Sequence, residues 1–167
     1  MNLGWISQCH QVITHIVIDG LPFTTEEKAL ILKGSVEPDE GLPFNFSNHI
    51  QTPTKGNAKE TIIKEMGKNT LRHLGHALHF VQDLCVLYHT TDTPIIDHIA
   101  YETSVKCMPI FHPDRKVVIF KDGLSEGLDN LIATSRLENP TRERMTLAAY
   151  ASYELCLLYL EFNGRKY

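Results

Sequence analysis

Residues 71–89 read LRHLGHALHFVQDLCVLYH, and the period of this stretch decides the fold class. Leu71, Leu74, Leu78, Val81, Cys85 and Tyr88 recur every three or four residues, the spacing of one buried stripe on an α-helix. The same periodicity puts His79 and Asp83, four residues apart, on one helix face. His98 and Glu102 repeat the pairing further on, and His89 lies between the two pairs. Neutral imidazole nitrogen and carboxylate oxygen are natural zinc ligands in hydrolytic sites, and facing helices are the usual way a bundle builds a metal site in its core. A lone His-x-x-x-Asp pair commonly means no more than a hydrogen bond. Two such pairs with a histidine between them point to a zinc (Zn2+) site, in which a carboxylate can bridge two metals.

The flanking sequence reads as helix on both sides. Trp5, Cys9, Val12, Ile13, Ile16 and Val17 predict a helix over residues 5–19, closed by Gly20, Leu21 and Pro22. Thr24 and Glu27 form a capping-box pattern that opens a second helix to about Lys33, with Gly34 as its breaker. Residues 34–57 are punctuated by Pro38, Gly41, Pro43, Pro53 and Gly56 and predict a long loop. That loop holds Asp39 and His49, which favours a functional role for it. Residues 58–88 predict one long helix, or two joined near residues 67–69, and a further helix is expected over 93–106. Val117, Val118, Ile119 and Phe120 suit a short strand or an extended loop. Residues 122–137 and 141–162 predict the last two helices, with Pro140 at the break. The expected fold is all-α: a single domain over residues 1–167, a multi-helix bundle with a metal cluster lined by helices and one long N-terminal loop.

The chain has 167 residues, 43% hydrophobic and 22% charged, as expected of a globular domain with one core. A formal net charge of -4 argues against broad electrostatic capture of nucleic acid, so no stable nucleic-acid complex is expected. Of the nine histidines, His73, His76, His79, His89 and His98 crowd into one stretch. Cys9, Cys85, Cys107 and Cys156 are far apart without a C-x-x-C pair, which disfavours a thiolate zinc site and reads as four unpaired thiols. No apolar run approaches the roughly 20 residues of a membrane span. The start shows no secretory signal, so a cytoplasmic location is expected for the chain as written, and a secreted one if a leader has been removed.

The pattern resembles the zinc-dependent phospholipase C family, which also includes fungal single-strand nucleases that cleave 3' phosphates. That family carries a helix reading roughly L-G-x-x-L-H-x-x-x-D, a histidine six residues later, then H-x-x-x-E. Leu74, Gly75, Leu78, His79 and Asp83, then His89, then His98 and Glu102 follow it in type and order. Upstream, Trp5, His15, the run from Gly34 to Asp39, and Asn48 with His49 are similar to the family's N-terminal tryptophan, first-helix histidine and loop ligands. The likeness covers about residues 5 to 102. It implies three metal positions: one held by Asp39, His49, His79 and Asp83; one by His89, His98 and Glu102; one by His15 with a bridging Asp83 and the N-terminal tryptophan. It also implies that Asp39 orients or deprotonates the attacking water. Here Met1 to Gly4 precede Trp5, so the Trp5 nitrogen is an amide rather than a terminal amine. The segments between Asp39 and His49 and between His89 and His98 are short, which leaves lipid specificity open.

His10 competes with His15 for the first-helix position, and His15 fits the family pattern better. His73 reads as an exposed helix residue, His76 as a possible support for His79, and His112 as a surface loop residue. Gln82 and Tyr101 are candidates to hold the imidazoles in one tautomer. The reading that follows is a zinc-dependent phosphoric ester hydrolase, a phospholipase C-like phosphodiesterase using a metal-activated water on a small phosphate ester or phospholipid. Alternatives are a nuclease or nucleotidase, a metalloenzyme that kept the site and changed its reaction within a biosynthetic pathway, and a zinc-stabilised scaffold without catalysis. The His and carboxylate ligand set disfavours the scaffold, whose closed sites usually hold thiolates. No histidine is followed directly by aspartate, which disfavours the phosphohydrolases built on a His-Asp dyad. Oligomeric state is not legible in the sequence.

Overall fold

The computed structural model describes residues 4–40, 45–92, 109, 111–113, 118–137 and 141–167. Among these the chain is all-α: α1 (Gly4–Asp19), α2 (Thr25–Gly34), the short α3 (Glu37–Glu40), a 3-10 turn (Phe46–Asn48), α4 (Ala58–Gly67), α5 (Leu71–Asp83), the short α6 (Leu87–Thr90), α7 (Leu124–Ser135) and α8 (Thr141–Phe162). Among the described residues the extended pairing is limited to one isolated bridge between Gln51 and Gly56.

Local chemistry accounts for the helix ends. Thr24 accepts from the Glu27 backbone N–H while the Glu27 carboxylate accepts from the Thr24 N–H, so the expected capping box opens α2. The stretch expected as one helix or two divides after Gly67, where Asn69 adopts φ 51° and Thr70 caps α5 by accepting from the His73 N–H. α5 stops at Asp83, short of the expected residue 88, and His89 belongs to the separate turn α6. At Ile119 and Phe120 the backbone N–H groups donate to the Glu154 carboxylate, so these residues form a loop tied to α8 rather than the alternative strand. The helix expected over 93–106 lies outside the described residues.

α5 is the central element, packed by α2, α4, α8 and α1. Leu74, Leu78, Val81 and Leu84 are buried in one hydrophobic cluster with Ile13, Val17, Ile31, Ile62, Leu128 and Leu155. Each such aliphatic side chain contributes about 2 kcal/mol relative to exposure. The closest crossing is between α2 and α5. A β-carbon on Gly75 would lie 2.8 Å from the Gly34 α-carbon and against the Ile31 carbonyl oxygen. Gly34, expected as a helix breaker, is therefore a packing residue, and the helix ends at Ser35 in ordinary right-handed geometry.

The stripe of α1 is rotated from the expected one. Cys9, His10, Ile13, Thr14, Val17 and Ile18 are buried, whereas Val12 and Ile16 are 40% and 37% exposed. The expectation of four free thiols is corrected at Cys9, which is disulfide-bonded with its partner outside the described residues; Cys85 and Cys156 are free and buried. No helix among the described residues is long and apolar enough to cross a membrane.

Gly75→Ala should lower stability by about 1–3 kcal/mol, because the added methyl meets backbone that cannot rotate away. Urea unfolding with an unchanged m-value checks this, and a variant as stable as the parent would show that the crossing tolerates separation.

Candidate metal centre

The α2–α5 crossing sets the first ligand. His79 is fully buried, and its Nδ1 lies 2.9 Å from the Ser35 carbonyl oxygen at the C-cap of α2. A carbonyl only accepts, so Nδ1 carries the proton and Nε2 presents its lone pair to the interior. That Nε2 is 3.4 Å from Asp39 Oδ1, 3.3 Å from Asp83 Oδ2 and 3.1 Å from His49 Nδ1. Asp39 arrives on α3, its side chain 4% exposed. His49 follows the 3-10 turn, which Asn45 caps through the Ser47 N–H. The loop bearing His49 is strapped down by Gln51 N–H to His89 carbonyl and Ala58 N–H to Ile50 carbonyl hydrogen bonds.

His49 Nδ1 is 2.7 Å from Asp83 Oδ2 and 4.0 Å from Asp39 Oδ1. Ligands about 2.0–2.1 Å from a tetrahedral cation lie about 3.3 Å from one another. The separations among Asp39, His49 and His79 are 3.1, 3.4 and 4.0 Å, around that value, so these three could hold a divalent cation after small adjustments.

The second Asp83 oxygen faces a different group of side chains. Oδ1 is 3.2 Å from His10 Nε2 and 3.8 Å from His89 Nδ1. His10 donates from Nδ1 to Gln82 Oε1 at 2.7 Å, and Gln82 in turn donates from Nε2 to the Thr14 and Ser152 hydroxyls. His10 thus also aims an Nε2 lone pair at a carboxylate. His89 donates from Nδ1 to the His49 carbonyl at 2.6 Å. Asp83 therefore has imidazoles against both of its oxygens, and the His10 and His79 rings themselves lie 3.9 Å apart, centroid to centroid.

Lone pairs aimed at carboxylates repel unless a proton or a metal ion lies between them. Burial pushes the Asp83 carboxyl pKa up, but the neighbouring His89, His79 and His10 outweigh it and hold the group well below 3.8. Burial lowers His10, and the Asp83 and Asp39 charges overcome this, so its pKa is raised from 6.5. Burial and the His10 charge lower His79. Two groups of residues here, His10–His79–Asp83 and Asp39–His49–His79, hold their ligand atoms within 4.8 Å of one another and could bind metal ions.

Asp39, His49, His79, Asp83 and His89 lie together in the interior. His15 is not: it is exposed on α1 among Val12, Ile16 and Leu32, and His10 occupies the position beside Asp83. Five residues at about 100° each place His15 about 140° around the helix from His10, so only one of them can face α5. The deciding signal was the phase of the stripe Cys9, Ile13, Val17, which carries His10 on its flank. His98, Glu102 and Tyr101 lie outside the described residues, as do residues 1–3. Gln82 takes the supporting role considered for it, toward His10. His73 is half-buried rather than exposed, and with His76 it faces Glu65 instead of His79. Burial raises the Glu65 carboxyl, but its bonds to His76, Lys68 and His73 bring it down to about 2.

Gln82→Leu should weaken metal binding about 10- to 100-fold by releasing His10, and lower stability by about 1–3 kcal/mol by stranding Thr14 and Ser152. Metal titration with parallel denaturant melts checks both effects; loss of stability alone would separate Gln82 from the centre.

The pH dependence follows from the shifts. Asp83 is depressed and His79 is lowered, so the stability each contributes is lost as pH falls, below 3.8 for Asp83 and below 6.5 for His79. His10 is raised, so its contribution is full below 6.5 and lost as pH rises through its folded value. Chelator-treated protein should melt at its highest temperature near pH 6.5. Metal should remove the decline above that pH, because the ion takes the unprotonated His10. Thermal melts across pH with and without metal test this; matching profiles would contradict it.

No family model, curated protein or solved structure matches the chain.

Proposed function

We propose that the chain is a zinc-dependent phosphoric ester hydrolase, a phospholipase C-like phosphodiesterase acting on a small phosphate ester or phospholipid. The observation that carries the reading is the division of one buried carboxylate between two imidazole groups. Asp83 Oδ2 meets His49 and His79, and Oδ1 meets His10, with His89 3.8 Å away through the Nδ1 that donates to the His49 carbonyl. This is the placement a bridging ligand needs, and paired ions suit phosphate displacement by offsetting charge on both attacking and leaving oxygens. The resemblance of residues 5 to 102 to the phospholipase C family supports the same reading. In this assignment His10 replaces His15, and His98 with Glu102 complete the His89 position.

Zinc held there supplies positive charge against the phosphoryl oxygens and a lowered water pKa. The chain's own residues do the rest. Ser35, Gln82 and the His49 carbonyl fix the tautomers of His79, His10 and His89. Asp39 is the residue we assign to orient and deprotonate the attacking water, a role the resemblance implies and which requires only hydrogen-bond reach. A groove of about 460 Å³ has Pro38, Asn48, Glu37, Glu40, Arg72 and Phe80 in its lining and none of the central residues. Pro38 and Asn48 are the chain neighbours of Asp39 and His49, so a substrate in this groove lies against the backbone that carries two ligands. The Cys9 disulfide supports an oxidising compartment and hence export of the chain. The deep burial of the ligands favours, as a second reading, a zinc-stabilised scaffold; turnover separates the two.

Metal content should be two or three zinc ions per chain, with at least one lost in Asp83→Ala. Hydrolysis of bis(p-nitrophenyl) phosphate should fall at least about 100-fold in that variant. One zinc or none in the parent would overturn the cluster, and a full complement without turnover of any phosphate ester would overturn the hydrolase.

A further inference from the structure

We propose a second, peripheral metal site on the groove wall, built by Glu65, His73 and His76 and suited to a divalent transition-metal ion such as zinc. Glu65 lies in the last turn of α4 with its side chain 9% exposed, and His73 and His76 lie three residues apart on α5. Glu65 Oε2 is 2.5 Å from His73 Nδ1 and 3.0 Å from His76 Nδ1, and the three ligand atoms lie within 4.8 Å of one another. Two imidazoles and a carboxylate form an open ligand set of the type that leaves a position for water or substrate. Side-chain exposures of 28% for His73 and 19% for His76 give an ion a route in from solvent, whereas the central ligands are closed off.

The orientation of His76 carries the argument further. Its Nε2 is 3.0 Å from Glu37 Oε2, and Arg72 Nε pins the same oxygen at 2.6 Å. A neutral His76 that donates from Nε2 to Glu37 turns the Nδ1 lone pair toward the Glu65 carboxylate. That contact is repulsive until a proton or a metal ion lies between, and a carboxylate on the far nitrogen is the usual support of a metal-bound imidazole. Lys68 is the competitor: its Nζ is 2.7 Å from Glu65 Oε1 and 3.5 Å from His73 Nδ1. Its side chain is 38% exposed and free to swing outward, so the ammonium and the ion exclude each other. Glu65 and His76 line the same groove as Pro38 and Asn48, so an ion here would face an anionic group bound in it. The site stands whether or not the central cluster is catalytic.

The test is calorimetric titration with zinc chloride of protein as purified, with whatever central metal each variant retains. One further ion is expected. Its affinity should fall at least about tenfold in His73→Asn and in Glu65→Gln, and hold in Asp83→Asn. Lys68→Met should tighten it about tenfold, because a cation about 3 Å from the carboxylate is removed. His73 is half-buried, so His73→Asn stays folded if Glu65→Gln does not. Unchanged affinity in His73→Asn overturns the site. Loss in Asp83→Asn overturns it too, by assigning the ion to the central cluster. Unaltered or weaker binding in Lys68→Met overturns it as well, since a mere hydrogen-bonded network gives Lys68 no role as competitor.

Discussion

The backbone approach of Gly34 to Gly75 is the constraint on which the centre rests. With hydrogens in place of side chains at both positions, α2 comes close enough to α5 for the Ser35 carbonyl to reach His79 Nδ1. That single hydrogen bond decides which nitrogen of a fully buried imidazole is left to face Asp39 and Asp83. A side chain at either glycine would push α2 outward and take the carbonyl with it. The glycine of the pattern Leu74, Gly75, Leu78, His79 thus has a structural reason one turn away from the ligand it serves.

Around that imidazole the interior concentrates charge in a way that hydrogen bonding alone satisfies poorly. Two carboxylates and four histidines, nearly all below 5% side-chain exposure, share one pocket. Burying an ionised carboxylate is costly unless it is paired, and here the pairs are imidazoles whose other nitrogens are committed elsewhere. His79 is committed to Ser35, His10 to Gln82 and His89 to the His49 carbonyl. The remaining nitrogens of His79 and His10 converge on Asp83. Protons can neutralise part of this arrangement at mildly acid pH; metal ions neutralise it at neutral pH. This is the electrostatic content of the metal assignment, and it is independent of any likeness to other proteins.

α5 also organises the neighbouring surface. His76 lies one turn before His79 on the same helix, yet it turns to Glu65 and Glu37 and not inward. The helix therefore carries the buried His79 and Asp83 on its core side and the half-buried His73 and His76 on the side that meets Glu65. Both depend on α4, whose packing on α5 brings up Glu65 and anchors the loop that carries His49.

What the sequence determined by itself is what depends on neighbours within a turn or two. The capping box at Thr24, the helical period of residues 71–83, the shared face of His79 and Asp83, and the break before Pro140 all rest on short-range geometry. The chemistry of the ligands also followed from residue type: His and carboxylate without thiolate pairs. Tertiary structure decided whatever needed the rotation of one helix against another. His10 rather than His15 meets Asp83 because the burial of α1 against α5 and α8 fixes its phase, and apolar residues on both flanks of α1 had left that phase ambiguous. Gly34 serves close packing and not helix termination because its partner is 41 positions away in the chain. Glu65 joins His73 and His76 across the turn at Asn69, a meeting that no periodic pattern encodes because it depends on the angle between two helices.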